Sequence, residues 1–154
     1  MKKNQENTNW GRNTITFPNV YKPKNIHEIK KQIKLTKNFA IQGNKRSFGD
    51  VALNQVNIIS SNKLNEIISF NNKKGEVEVE SGLLISDLLE KIVPHGWFVP
   101  VTPGSKYVSI GGMVANNIIG KNTKKNQIKY YIKKIKLITQ QNKTVNCTPK
   151  LNKK

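Results

Sequence analysis

The stretch Gln42-Gly43-Asn44-Lys45-Arg46-Ser47-Phe48-Gly49-Asp50 gathers residue types that bind anions. A strand running into Gly43, with Ser47 and Gly49 close behind, can present successive main-chain N–H groups on one side. Its small residues let a bound anion approach closely. The Ser47 hydroxyl can donate directly, and Arg46 can add charge or pair with Asp50. Such a concave nest suits phosphate. The same residues also make a plain strand-to-loop turn, because Gly, Asn and Asp are turn formers in any setting.

A second stretch, Pro100 to Asn117, contains Pro103, Gly104, Ser105, Ser109, Gly111, Gly112, Ala115 and Asn116, and Ile119 and Gly120 follow closely. Gly111 and Gly112 remove two side chains where the backbone must pass something flat or bulky, and Ala115 extends that bare surface by one helical turn. A helix starting near Gly111 would direct unpaired N–H groups toward an anion. Packing of a helix on a sheet is the competing account. Two such loops in one short basic chain favour a phosphorylated cofactor, without choosing which one.

Elements of secondary structure must position these loops. Thr14 to Phe17 reads as a short strand stopped by Pro18. Asn25 and Glu28 stand at capping-box spacing before Ile26, Ile29 and Ile33, which predicts a helix running to about Thr36. Phe39 to Ile41 is a buried strand that leads into the first loop. Asn57 to Ser60 is another strand, and Ile67 to Phe70 with Glu76 to Glu80 predicts a hairpin around Asn71 to Gly75. Ser86 and Asp87 open a second helix that ends at Pro94 and Gly96. Ile135 to Thr139 and Lys143 to Thr148 form a closing hairpin. Short helices separating strand pairs indicate an α+β fold.

The chain has 154 residues, 27 Lys+Arg against 9 Asp+Glu, and a formal net charge of +18. That length holds one ordinary domain. Hydrophobic residues make up 36% of the chain, enough for a core, so a wholly disordered polyelectrolyte is excluded. The charge attracts polyanions, yet the lysines are interleaved with Asn, Ile and Gln throughout, and no zinc-ligand spacing or helix-turn-helix accompanies them. No specific nucleic-acid partner is expected. Trp97 and Phe98 read as core aromatics. Cys147 is the one cysteine, which excludes an internal disulfide and a thiolate metal cluster. The N-terminus lacks a secretory apolar region, and no apolar run approaches the roughly 18 residues of a membrane span, so the expected compartment is the cytoplasm. His27 and His95 have no partner at metal-ligand spacing, and no catalytic residue or metal site is assigned.

In order, the stretch Gly43 to Asp50, Pro-Val-Thr-Pro-Gly at Pro100 to Gly104, Ser-Ile-Gly-Gly-x-Val-Ala-Asn-Asn at Ser109 to Asn117, and Gly120-Lys121 resemble the FAD-binding domain of the vanillyl-alcohol oxidase/p-cresol methylhydroxylase flavoproteins. Trp10-Gly11-Arg12 is similar to the start of the decaprenylphosphoryl-ribose oxidase-like branch. The resemblance runs from about Trp10 to Thr148, leaving 1–9 as a disordered N-terminus and 149–154 as a basic tail. It implies a PCMH-type domain of two small α/β subdomains with FAD between them. The first loop would hold the pyrophosphate. The flavin ring would lie near Gly104 and the Ser109 to Ala115 segment. The residues implied at the cofactor are Gly43, Asn44, Lys45, Arg46, Ser47, Phe48, Gly49, Asp50, Pro103, Gly104, Ser105, Ser109, Gly111, Gly112, Ala115, Asn116, Asn117, Ile119 and Gly120.

The chain departs from the family pattern at identifiable positions. Arg46 stands where flavin-linked relatives place a histidine, which implies non-covalent FAD. Lys45 replaces the second glycine of the usual Gly-x-Gly. Ile119 stands where relatives commonly place a histidine before Gly-Lys. Family members oxidise alcohols, sugars or lactones by hydride transfer to the flavin and carry a further substrate domain. The expectation is therefore a truncated homologue or one half of a split protein, with a second polypeptide supplying the substrate domain. The alternative is a small basic protein that binds nucleic acid or other anions, with structural glycine loops.

Overall fold

The computed structural model describes residues 6–121 and 125–151. The chain opens with a small antiparallel hairpin, β1 (Asn7–Thr8) on β2 (Ile15–Thr16). This corrects the expected disorder for the part 6–9 of the stretch 1–9. Residues 1–5 lie outside the described residues, but Asn7 and Asn9 are buried. The Thr16 hydroxyl donates to the Asn7 carbonyl at 3.1 Å, and Asn9 Nδ2 donates to the Phe48 carbonyl at 2.6 Å. Polar residues that look solvated in the sequence are held here by hydrogen bonds to distant parts of the chain.

The first subdomain is a parallel sheet in the order β3 (Asn19–Tyr21), β5 (Asn57–Ser60), β4 (Phe39–Gln42), with α1 (Ile26–Leu35) crossing from β3 to β4. The capping box forms as the sequence predicts. Glu28 N–H donates to Asn25 Oδ1 at 2.9 Å, and Asn25 Nδ2 donates to Glu28 Oε1 at 3.3 Å. Central strand β5 is buried along its whole length, with Ile58 and Ile59 in the core. The expected burial of Phe39 to Ile41 is corrected, because β4 is an edge strand and Ile41 is 55% exposed. Alternation instead turns Gln42 inward, where Nε2 donates to the Ala52 carbonyl at 2.9 Å.

The second subdomain begins with the predicted hairpin, β6 (Ile67–Asn71) on β7 (Glu76–Val79). Trp97 does not join the core. Its indole N–H donates to the Asn72 carbonyl at 2.8 Å and its ring lies over Gly75, while Phe98 is exposed. Helix α2 (Ile85–Ile92) starts one residue before Ser86 and has no side-chain cap. Its first N–H groups are met instead by the second loop: Ile85 donates to the Val108 carbonyl at 3.0 Å and Ser86 to that of Lys106 at 2.8 Å. Helix α3 (Ile110–Ala115) and the hairpin β8 (Ile135–Ile138) with β9 (Thr144–Cys147) complete the element order.

Leu83, Leu88, Ile92 and Val99 form one apolar cluster, and Ile85, Val101, Met113 and Ile128 another, with Leu89 and Ile110 bridging them. The residues around the second loop are therefore anchored in core on both sides. Lys133 pairs with Glu76, and Lys136 with Glu78 at 3.1 Å, placing the final hairpin beside β7. Of the expected basic tail, 149–151 follow a turn in which Thr148 and Leu151 exchange main-chain bonds, and 152–154 lie outside the described residues. Among the described residues, no helix is long and apolar enough to cross a membrane.

Candidate cofactor site

The two loops singled out in the sequence meet. Gly43 follows directly on β4, and a Cβ at that position would overlap the Ser109 hydroxyl. One residue on, Asn44 Nδ2 donates to the Tyr107 carbonyl at 2.9 Å across 63 residues of sequence. The contact is main chain against short side chain, a closeness only glycine permits at position 43.

From Asn44 to Asp50 the main chain is anchored through its carbonyls. Those of Ser47 and Asp50 accept from Trp10 N–H at 3.0 Å and Leu53 N–H at 2.7 Å. The Phe48 carbonyl accepts from Asn9 Nδ2. No main-chain N–H between Asn44 and Asp50 donates to any group among the described residues. A loop held by its acceptors, with its donors unspent, is what an anion nest requires.

Lys45 has φ +55°, inside the left-handed region that favours glycine. Partial burial lowers its pKa, with Lys22 adding to the effect and Glu6 opposing it. Lys45→Gly is therefore expected to stabilise the cofactor-free protein by about 1 kcal/mol, read as a higher denaturation midpoint in urea. No gain would mean that the side chain offsets the backbone strain. Arg46 forms no ion pair with Asp50. Its guanidinium carbon lies 4.3 Å from the Trp10 ring centroid and 5.7 Å from that of Tyr107. Phe48 is 73% exposed, and a Cβ at Gly49 would meet nothing.

The second loop departs from expectation. Ser109 caps α3, accepting from Gly112 N–H at 3.4 Å. The next donors are also engaged: Ile110 N–H reaches the Leu83 carbonyl at 2.8 Å and Gly111 N–H the Ser81 carbonyl at 2.7 Å. The expectation that this helix aims unpaired N–H groups at an anion is thus corrected. Gly111 is bare because a Cβ there would lie 2.8 Å from the Ser81 carbonyl oxygen, which is an approach of two backbones. Past the exposed Ala115, Asn116 closes the helix, its Nδ2 donating to the Gly112 carbonyl at 2.8 Å. Asn117 takes φ +42°; its Nδ2 donates to Gln127 Oε1 at 3.3 Å and its Oδ1 accepts from Lys129 N–H at 3.3 Å.

Other residues of that loop remain open. A Cβ at Gly104 would meet nothing, Pro103 is half-buried beside it, and Ser105 accepts from Tyr107 N–H at 3.2 Å. Ile119 is 63% exposed, and Gly120 backs onto Val101, where a Cβ would lie 3.1 Å from Val101 Cγ1. Gly120 thus backs onto the Val101–Thr102 corner.

Sequence reasoning missed the joint beneath both loops. Gly82 N–H donates to the Leu64 carbonyl at 2.8 Å, and a Cβ there would overlap the Ser61 carbonyl. Ser61 N–H in turn donates to the Gln42 carbonyl at 2.9 Å, so the seam runs directly to the start of the first loop. A cleft of about 160 Å³ lies along it, lined by Asn44, Asn62, Asn65, Gly82, Leu84 and Asp87. The only sequence signal was a lone Gly at a strand end.

Unspent N–H groups, a buried Arg46 Nε without an acceptor and open space at Gly104 together fit a ligand with an anionic bridge and a flat end. Among the described residues, no group of three His, Cys, Asp or Glu is placed to hold a metal ion.

The family described as FAD binding domain matches residues 18–148. The chain is 31% identical over 119 residues to decaprenylphosphoryl-beta-D-ribose oxidase of Mycolicibacterium smegmatis, covering 73% of this chain and 26% of that protein. It is 33% identical over 72 residues to D-lactate dehydrogenase of Anaerostipes hadrus, covering 47% and 15%. It is 26% identical over 129 residues to L-gulonolactone oxidase of Bos taurus, covering 80% and 28%. The chain thus spans about a quarter or less of these relatives' lengths. With the match covering most of the sequence and both of its loops, the chain belongs to the FAD binding domain family of FAD-linked oxidoreductases, and its cofactor is FAD.

Proposed function

We propose that this chain is the FAD-holding portion of a flavin-dependent oxidoreductase acting on CH–OH groups of sugars or alcohols. The substrate-side groups would come from polypeptide outside these 154 residues. One observation carries the reading: the donor-rich loop Asn44 to Asp50 lies directly against the second loop, so one extended ligand can touch both. The relatives named as a ribose oxidase, a lactate dehydrogenase and a gulonolactone oxidase support the substrate class.

In this reading the N–H groups of Asn44 to Asp50, with the Ser47 hydroxyl, hold the pyrophosphate. Gly43 and Ser109 keep the loops in contact, and Gly104, Ser105, Ile119 and Gly120 face the flavin end. When bound, FAD supplies a hydride acceptor. Arg46 has no nucleophilic ring nitrogen with which to link the flavin, so the cofactor is dissociable. Ser109, Gly111, Gly112, Asn116 and Asn117 shape the loop through their internal bonds. No catalytic residue is assigned in this chain: His95 packs edge-on against Phe70 at 5.5 Å, and His27 lies on exposed α1. The cofactor-holding unit extends from Trp10 to Thr148, and a cytoplasmic setting accords with the free thiol of Cys147.

Titrating FAD into the purified chain tests this reading. At a hundredfold excess over Kd the melting temperature should rise by about 5–10 °C, and acid precipitation should release all the flavin into the supernatant. An unmoved melting curve at millimolar FAD would overturn the reading. Flavin retained on the precipitated protein would overturn its non-covalent part.

A further inference from the structure

Charge is spread unevenly over this molecule. Residues 66–90 hold six of the nine acidic residues against two lysines, whereas residues 22–37 hold six lysines and one acid, Glu28. That acid is spent on the α1 cap, where its carboxylate accepts from Lys24 N–H at 2.8 Å and from Asn25 Nδ2 at 3.3 Å. Among the described residues the ion pairs are those of Lys133 and Lys136, so the lysines of 22–37 meet no carboxylate.

Helix geometry gathers these charges on one side. His27, Lys31 and Leu35 follow one another at four-residue spacing with Lys34 beside them, and all four are exposed, while Ile29 and Ile33 on the opposite side are half-buried. Lys24 and Lys37, just outside the two ends of the helix, are exposed as well. Leu35 is the exception in this basic face, an apolar side chain that is 68% exposed. A leucine set among lysines gains nothing from phosphates alone, but it can enter an acyl layer while the ammonium groups stay among the headgroups. Helix α1 carries no aromatic ring on which a nucleic-acid base could stack.

We propose that the outer face of α1 docks this protein on an anionic lipid surface, with Lys31, Lys34 and Lys37 at the headgroups and Leu35 inserted between them. The acidic residues of 66–90 lie in the second subdomain, so the charge asymmetry of the molecule turns the α1 side toward a negative surface. The proposal is independent of the cofactor reading.

Co-sedimentation of the full chain with vesicles of phosphatidylcholine, alone or mixed with phosphatidylglycerol, tests it. Binding should require the anionic lipid and vanish at high salt. Lys31→Gln, Lys34→Gln and Lys37→Gln combined keep good helix formers in α1 and should lower the affinity about 100-fold at an unchanged melting temperature. The matched control, Lys134→Gln with Lys143→Gln and Lys150→Gln, removes the same net charge elsewhere and should cost less than about fivefold. Leu35→Gln leaves every charge in place and should lower the affinity several-fold. Should the α1 triple variant melt lower, Lys31→Gln against Lys134→Gln carries the test, with a loss of about fivefold expected for the first alone. Equal losses from the α1 and control variants would overturn the proposal, because net charge would then account for the binding. Absence of binding to the anionic vesicles would overturn it too, and so would Leu35→Gln protein that binds as wild type. A generic DNA duplex whose affinity falls more steeply than that of the vesicles in the α1 variant would assign the face to nucleic acid instead.

Discussion

Gly82→Ala is expected to cost about 3 kcal/mol of stability, because the added methyl group would be forced against main-chain atoms that cannot rotate away. The obstacles are the Ser61 and Leu64 carbonyls. The Leu64 carbonyl also accepts from Gly82 N–H at 2.8 Å, so moving it away breaks a bond between the segment after β5 and the segment after β7. Ser61 hydrogen-bonds to the end of β4, and Ser81 holds Gly111. Displacement there would reach both loops of the candidate site. Urea denaturation of the variant should show a lower midpoint, and a melt should fall by roughly 10 °C for a chain of this length. A loss below about 1 kcal/mol would mean that the turn at Ser61 yields freely and does not act as a joint.

The second large effect is expected where the loops touch. Gly43→Ala places a methyl group against the Ser109 hydroxyl, and Ser109 cannot swing away without giving up its cap on α3. The single change should cost about 2 kcal/mol and, on the proposed reading, weaken FAD binding at least tenfold, since it pushes the Asn44 to Asp50 loop off the second loop. Ser109→Ala alone should cost about 1 kcal/mol through the lost cap. In the double variant the obstructing oxygen is gone, so the combined loss should fall short of the sum by about 1 kcal/mol. Denaturation of the four proteins, with FAD titrated into each, gives the coupling. Strict additivity would show that Gly43 is bare for some reason other than Ser109.

Local signals in the sequence were read correctly where the structure depends on neighbours in the chain. Asn25 and Glu28 cap α1 because both partners lie within one helical turn. Strict alternation from Glu76 to Val79, with Gly75 available for φ +62°, produces the β6–β7 hairpin. Expectations failed where a group's partner came from far away. Ser86 looked like a cap, yet the N–H groups at the start of α2 are met by carbonyls about twenty residues later. Trp97 and Phe98 looked like core because apolar character says nothing of which side of the sheet the chain crosses.

The candidate site divides in the same way. From residue types Gly43 to Asp50 was legible as a loop able to present main-chain donors, with a plain turn as the competing account, and Lys45 stood out as a departure from the family pattern at a position where the chain takes φ +55°. The glycine pair was read with less success. Gly111 and Gly112 do mark a close approach, but against the Ser81 backbone and the Ser109 side chain, and the donors thought to be unpaired are engaged.

By itself the sequence determined the α+β elements and the two glycine-bearing loops, and through its resemblance the family with its cofactor, because ordered motifs and short-range periodicity survive in one dimension. Only the tertiary structure decided which N–H groups remain unspent, that Trp10 and Tyr107 close on Arg46, and that Gly82 packs against the segment after β5. The physical reason is that a hydrogen-bond donor is defined by its partner. For these groups the partners lie tens of residues away, where only the folded chain brings them within reach.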